Sequence, residues 1–118
     1  MKFLFMIYHD EQTLHALPAA EMQTLVDSAL DYDEEIRGSG HYIVSNALQP
    51  ARTARTIRVR GGTVSITDGP FAETKEQLGG FFLVEARDID EACAVASRFP
   101  PARLATIEVR PVQELQHS

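Results

Sequence analysis

The sequence has little of several features that mark large classes of proteins. A single cysteine cannot form an internal disulfide, so nothing points to an oxidising compartment or to a cysteine-based metal site. Long apolar runs are missing, since the run at 3–8 is too short for the core of a signal peptide or for a membrane span, and no later run is better. We therefore expect a cytoplasmic protein with no membrane partner.

Positive charge is also scarce. Lysine and arginine total 11 against 17 aspartates and glutamates, which gives a formal net charge of −6 and a pI near 5.1. Proteins that bind nucleic acids neutralise phosphates with basic side chains, so this balance excludes nucleic acid as an expected partner.

The chain does have enough apolar material for one core. Its 118 residues are 44% apolar and 24% charged, values typical of a globular protein. This length allows one independent core and not two. We therefore predict a single domain over residues 1–118, without repeats or linkers.

Four segments carry the clearest periodicity. Residues 2–8 and 80–86 are apolar on both faces, which predicts two buried, central strands. Apolar residues at helical spacing predict helices over about 19–37 and 88–99, and the second begins with a capping-box-like pair, Asp88 and Glu91. On the second helix we expect Ile89 and Cys93 to face the core with the rest of the apolar stripe.

Alternating apolar residues predict the remaining strands. Between 56 and 67 the alternation surrounds Gly61-Gly62, which indicates a two-residue hairpin with Val59 opposite Val64 and Ile57 opposite Ile66 on a buried side. A weaker strand is expected at 42–47 and an ordinary alternating strand at 104–109. The order is that of an α+β, ferredoxin-like split βαβ fold with an added hairpin and with both helices on one face.

One face of such a sheet is left without a helix to cover it. The central strands carry apolar side chains on both faces, and a patch of that size is rarely left in water. The expected cover is the same face of a second copy, which gives a homodimer with a pocket between the two sheets.

The candidate site lies beside that pocket. Asp68 and His9 each follow a strand, and there a carboxylate or an imidazole has the reach and the tunable pKa for acid–base catalysis. Ligand-binding residues are expected around them: Tyr8, Gly69, Pro70, Phe71, Glu73 and Lys75.

Structural alternatives are favoured for several of these residues. Asp68 before Gly69 is typical of a carboxylate that shapes a turn. Phe71 is interpreted as a plug against the core, residues 74–77 as a solvated helical turn and His9 as a surface side chain. The histidines show no metal-ligand spacing, so we expect neither a metal nor a cofactor.

The stretch from 68 to 81 also resembles a known signature. Asp-Gly-Pro-Phe, Ala-Glu-Thr-Lys-Glu and Leu-Gly-Gly-Phe are similar to the motifs of DGPF-domain proteins, a branch of the YCII-related family. The resemblance implies a ferredoxin-like fold in a dimeric α+β barrel. It also implies an acid–base pair near the start of helix one and after helix two, where this chain has Glu21 and Phe99-Pro100-Pro101 instead of histidine and aspartate.

Two functions remain open, with a purely structural dimer ranked below them. The first is binding of a small molecule between the sheets of a dimer, with or without acid–base catalysis. The alternative is a non-catalytic regulatory or interaction module, because some relatives in that branch are associated with alternative sigma factors.

Overall fold

The protein is described by a computed structural model that covers all 118 residues. It is a mixed α+β structure with antiparallel sheets. The strands are β1 (Lys2–His9), β2 (Tyr42–Ala47), β3 (Arg55–Arg60), β4 (Thr63–Asp68), β5 (Gln77–Glu85) and β6 (Ala105–Pro111). The helices are α1 (Glu11–His15), α2 (Ala19–Gly38) and α3 (Ile89–Ser97), and short 3-10 segments occur at Ala51–Thr53 and Pro100–Leu104. None of the helices combines the length and the apolar character needed to cross a bilayer.

The main sheet has four strands in the order β2-β5-β1-β6, and every neighbouring pair is antiparallel. β1 and β5 are central, as their apolar character on both faces predicts. Phe3, Phe5 and Ile7 of β1 point to the helices, while the intervening Leu4 and Met6 point to the other face. No helix packs on that other face, so the sheet is covered on one side within a single chain.

The two long helices begin as their sequences indicate. α2 starts directly after Pro18, whose fixed φ suits a helix entry. At α3 the Asp88 carboxylate accepts a hydrogen bond from the Glu91 N–H at 2.9 Å, which satisfies one of the free donors of the first turn. Helix α1 was not predicted, although the Asp10 carboxylate caps it in the same way by accepting from the Gln12 N–H at 3.1 Å.

One apolar cluster joins the helices to the sheet. The rings of Tyr32, Phe82 and Phe99 meet edge to face, with centroids 5.3–5.6 Å apart. The Tyr32 hydroxyl donates to the Val95 carbonyl at 2.6 Å and so ties α2 to α3. The buried apolar residues are Phe3, Phe5, Ile7, Tyr32, Ile36, Phe82, Val84, Ala86, Ala92, Val95, Ala96 and Phe99.

The hairpin β3–β4 has the predicted register but not the predicted burial. Val59 pairs with Val64 and Ile57 with Ile66. All four side chains are 55–63% exposed because the hairpin forms a sheet of its own and projects from the rest of the chain. The radius of gyration is accordingly 16.5 Å, against about 13 Å for a compact domain of 100 residues.

Two local predictions are wrong. Residues 74–77 form no helical turn, because side chains cap the backbone there: the Gln77 amide donates to the Thr74 carbonyl, and β5 already begins at Gln77. Cys93 is exposed instead of buried, and Ile89 is also exposed. The face of α3 that packs on the sheet is set by Ala92, Val95 and Ala96, and at helical spacing this rotates Cys93 outward.

Candidate functional site

The aspartate predicted to be catalytic lies at the base of the projecting hairpin. Asp68 ends β4, and its carboxylate is 93% exposed with Oδ1 at 3.7 Å from Arg55 Nε. It accepts no backbone hydrogen bond, so the turn after β4 is made by its neighbour. Gly69 has φ of 93°, and its N–H donates to the Ala54 carbonyl at 2.7 Å, which closes the hairpin base.

The other residues predicted after Asp68 lie on the surface near that base. Phe71 is 80% exposed and is therefore not a plug against the core. Pro70 and Phe71 line a shallow groove with Leu48 and Leu78. Glu73 and Lys75 are exposed, and neither forms an ion pair within the chain.

His9 and Tyr8 are separated by the sheet. Tyr8 points to the face without helices, where its hydroxyl lies 3.7 Å from Met6 Sδ. His9 continues the row of Phe3, Phe5 and Ile7 on the helix side, and at the end of β1 it enters a cavity. The structure therefore brings together His9 and a set of residues that does not include Tyr8 or any of the 68–75 segment.

This cavity lies between α2 and one end of the sheet and has a volume of about 420 Å³. Its wall is mostly apolar, and the polar residues in it are His9, Asp33, Ser45 and Asn46. The other lining residues are Ile7, Leu14, Leu25, Val26, Ala29, Leu30, Ala47, Gly79, Gly80, Phe81, Phe82, Phe99, Pro101, Leu104 and Ala105. Such an apolar pocket with a few converging polar groups is typical of a small-molecule site.

A β-bulge shapes the His9 end of the cavity. The β1–β5 register shifts between Ile7 and Tyr8, which leaves Gly79 as the extra residue of β5. The His9 imidazole occupies the space beside Gly79, and a Cβ built there would overlap the ring atoms Cε1 and Nδ1. The first glycine of the Leu-Gly-Gly-Phe motif is thus required by the position of His9.

Asp33 is the site residue that the sequence analysis missed. It lies one turn after Ala29 on α2, where the helix continues its cavity-facing stripe. Burial raises the pKa of the Asp33 carboxyl, and the Arg37 guanidinium offsets part of this effect. The available signal was an acid at the spacing of an apolar stripe, Leu25, Ala29, Asp33.

The pKa of His9 is shifted in the direction that favours the neutral imidazole. Burial is the largest cause and lowers the pKa of the imidazole, while the charges of Glu11, Glu76 and Asp10 act against it. Neither the His9 imidazole nor the Asp33 carboxylate has a hydrogen-bond partner within the chain, and their polar atoms are not sealed from solvent. Both groups are therefore free to bind a ligand.

The two other polar residues of the wall add no free group: Asn46 pairs with Phe81 and Phe81 with Met6, which places the Asn46 side chain on the sheet face without helices, and the Ser45 hydroxyl already has a partner. Ser45 Oγ lies 3.0 Å from the Tyr42 hydroxyl, and the Arg37 guanidinium stacks 4.3 Å from the centre of the Tyr42 ring. Nowhere in the chain do three histidine, cysteine, aspartate or glutamate side chains come together in a way that could hold a metal ion. The chemistry available in the cavity is that of a neutral imidazole and a carboxylate.

Comparison with known proteins agrees with the resemblance noted in the sequence. A family model for the YCII-related domain matches residues 1–116. The chain is also 32% identical over 114 residues to an uncharacterised protein of Rhizobium meliloti (strain 1021), and the alignment covers 95% of this chain and 92% of that protein. Together these matches show that the chain belongs to the YCII-related family.

Proposed function

We propose that the protein binds a small, largely apolar molecule in the cavity beneath α2, with His9 as the group that accepts a proton from it. The observation that carries this proposal is the pair of unpartnered polar side chains, His9 and Asp33, in a cavity of about 420 Å³ with an otherwise mostly apolar wall. Shifted pKa values in a concave apolar site are a recurring property of catalytic groups.

The chemistry follows from the state of each group. The neutral His9 ring has a nitrogen lone pair, so it removes a proton from an acidic C–H or O–H of the ligand and becomes an imidazolium. The nearby acids Glu11, Glu76 and Asp10 stabilise that positive charge. Asp33 orients the ligand by accepting a hydrogen bond. The proton then returns to a second ligand atom or to water, and no cofactor takes part.

The experiment uses a blocked cavity. Ala47 lines the cavity at the end of β2 and is exposed, so Ala47→Trp fills the entrance without disturbing the core. Thermal unfolding is measured across a metabolite panel for the wild type, for Ala47→Trp and for Ala20→Trp, an exposed position on α2 outside the cavity. Ligands that raise the midpoint of the wild type and Ala20→Trp but not of Ala47→Trp support the proposal. Equal shifts in all three proteins contradict it.

We also propose that two chains associate through the sheet face that carries no helix, as in a dimeric α+β barrel. The strand order β6-β1-β5-β2 is that of a ferredoxin-like split βαβ fold, and Leu4, Met6 and Leu83 on the free face are only partly buried within one chain. Light scattering should give twice the chain mass, and Leu83→Lys should give the single mass, because a charge would enter the interface. A monomeric wild type at micromolar concentration contradicts this part.

A second candidate function is supported by the hairpin. Ile57, Val59, Val64 and Ile66 expose one continuous apolar side, which favours an interaction module of the kind that the DGPF resemblance suggests, such as a partner of an alternative sigma factor. A ligand panel without any midpoint shift, combined with loss of a co-purifying sigma factor in Ile66→Lys, would favour this function over the first.

A further inference from the structure

The fixed charge in the wall of the cavity is negative. None of the residues that line it is a lysine or an arginine, and Asp33 is the only acidic one. At the other end, the acids Glu11, Glu76 and Asp10 lie close enough to His9 to act on it electrostatically. A ligand in this cavity therefore meets negative charge near both polar side chains of the wall, Asp33 and His9.

The nearest basic groups lie outside the cavity wall, although the charge of Arg37 does act on Asp33. Arg37 follows Asp33 by one helical turn, but its guanidinium lies over the Tyr42 ring, and the residue is not part of the cavity wall. Arg98 forms an ion pair with Glu35 of the same helix, with Arg98 Nε at 3.4 Å from Glu35 Oε1. The histidine that lines the cavity favours its neutral form and supplies no fixed positive charge.

Two unfavourable contributions would weaken the binding of an anionic ligand. It would lose its hydration in an apolar cavity, and no cation in the wall would replace that hydration. It would also be repelled by the Asp33 carboxylate. A cation has the opposite balance, because it gains an ion pair with a carboxylate that has no other close partner.

We propose, on the basis of the ligand-binding function above, that the cavity selects molecules with an ammonium group on an apolar body and rejects carboxylates and phosphates of the same shape. The ammonium pairs with the Asp33 carboxylate at the α2 side of the cavity. The apolar body lies against the side chains of Leu25, Phe82 and Phe99. The charge of the ligand, and not its size alone, decides binding.

The test uses three ligands with one apolar body. 3-Phenylpropylamine, 3-phenylpropanol and 3-phenylpropionate compete at pH 7 with the neutral fluorescent probe N-phenyl-1-naphthylamine. The amine should bind about tenfold more tightly than the carboxylate, with the alcohol between them. In Asp33→Asn the amine should lose about tenfold in affinity while the alcohol is unchanged. Asp31→Asn, on the exposed side of α2, is the matched control and should behave as the wild type.

The outcomes separate this inference from the function on which it rests. If the probe binds the wild type but not Ala47→Trp, and the carboxylate binds as well as the amine, the ligand-binding function stands and the charge selection is wrong. The same holds if Asp33→Asn leaves the affinity of the amine unchanged. If the probe binds neither protein, or binds both equally, the ligand-binding function fails and the charge selection fails with it.

Discussion

The His9 imidazole occupies the space that a side chain at position 79 would need. The β-bulge in β5 and the missing Cβ act together, because the bulge turns Gly79 toward the ring and the glycine leaves room for it. The position of the proposed proton acceptor is thus set by a residue on the neighbouring strand.

Replacement of Gly79 by alanine should displace the His9 ring. We expect the free energy of unfolding to fall by about 1–3 kcal/mol, because a methyl group would occupy filled space. The NMR-monitored pKa of His9 should also move toward its ordinary value as the ring leaves its buried position. Gly38→Ala is the control, since no atom lies near its Cβ position. An unchanged His9 titration in Gly79→Ala would rule out the positioning role.

Replacement of Asp33 by asparagine should make the protein more stable at pH 7. The folded state raises the pKa of this carboxyl, so burial of its charge costs free energy above the ordinary pKa, and this cost disappears as the pH falls and the group is protonated. We expect a gain of no more than about 0.5 kcal/mol at pH 7, because solvent screens a carboxylate that is only partly buried and the charge of Arg37 offsets part of the cost of burial. Urea unfolding at pH 7 and pH 4 measures it.

The gain of Asp33→Asn should shrink at pH 4, where the wild-type carboxyl is partly protonated in the folded protein. Asp31→Asn, at an exposed position two residues earlier, should show little change at either pH. A destabilised Asp33→Asn at pH 7 would mean that the carboxylate has a structural partner instead of a free role in the cavity.

His9 should make the protein less stable in acid. Because the folded pKa of His9 lies below that of the unfolded chain, the unfolded state takes up the proton first as the pH falls below about 6.5. The wild type should therefore lose more stability than His9→Asn between pH 7.5 and pH 5, by less than about 1 kcal/mol because solvent screens a ring that is only partly buried. Parallel urea midpoints for the two proteins across this range would contradict a buried, neutral imidazole.

Tyr32 should make the stability of the protein depend on pH in the alkaline range. Burial raises its pKa to about 12, so the unfolded chain ionises first and the wild type loses stability as the pH rises above 10. At pH 7, Tyr32→Phe should cost about 1 kcal/mol through loss of the hydrogen bond to Val95. The cost should decrease at pH 10.5. Tyr42→Phe, whose wild-type hydroxyl pairs with Ser45, is the control and should not show this decrease.

Cys93 should react with a thiol reagent in the folded protein, since its side chain is exposed on α3. Ellman's reagent should modify one thiol per chain without denaturant, with little change in the thermal midpoint. A thiol that reacts only after addition of urea would contradict the exposed position and agree with the burial predicted from the apolar stripe. Cys93→Ala gives the background.

The sequence predicts those parts of the fold that depend on neighbours along the chain. Gly61-Gly62 sets the hairpin register, and Asp88 sets the start of α3, because each signal acts within a few residues. The central position of β1 and β5 follows from apolar residues on both of their faces. These features need no knowledge of distant contacts.

The site depends on distant contacts, and there the sequence is less informative. The sequence predicts His9 as a site residue, but the acid that lines the same cavity is Asp33 from α2 and not Asp68, because the rotation of α2 on the sheet decides which acid enters the cavity. Asp68 ends the hairpin strand β4, and none of residues 68–75 lines the cavity.

The hairpin β3–β4 also has a consequence for how the chain folds. It is inserted between β2 and β5, two strands that must pair with each other. Its own pairing is local, and Gly69 joins its base to Ala54, so it can zip within microseconds and bring the ends of the insertion together. Most of the entropic cost of closing the loop between β2 and β5 is then met before these two strands pair. A shortened hairpin that keeps this base should leave the four-stranded sheet able to assemble.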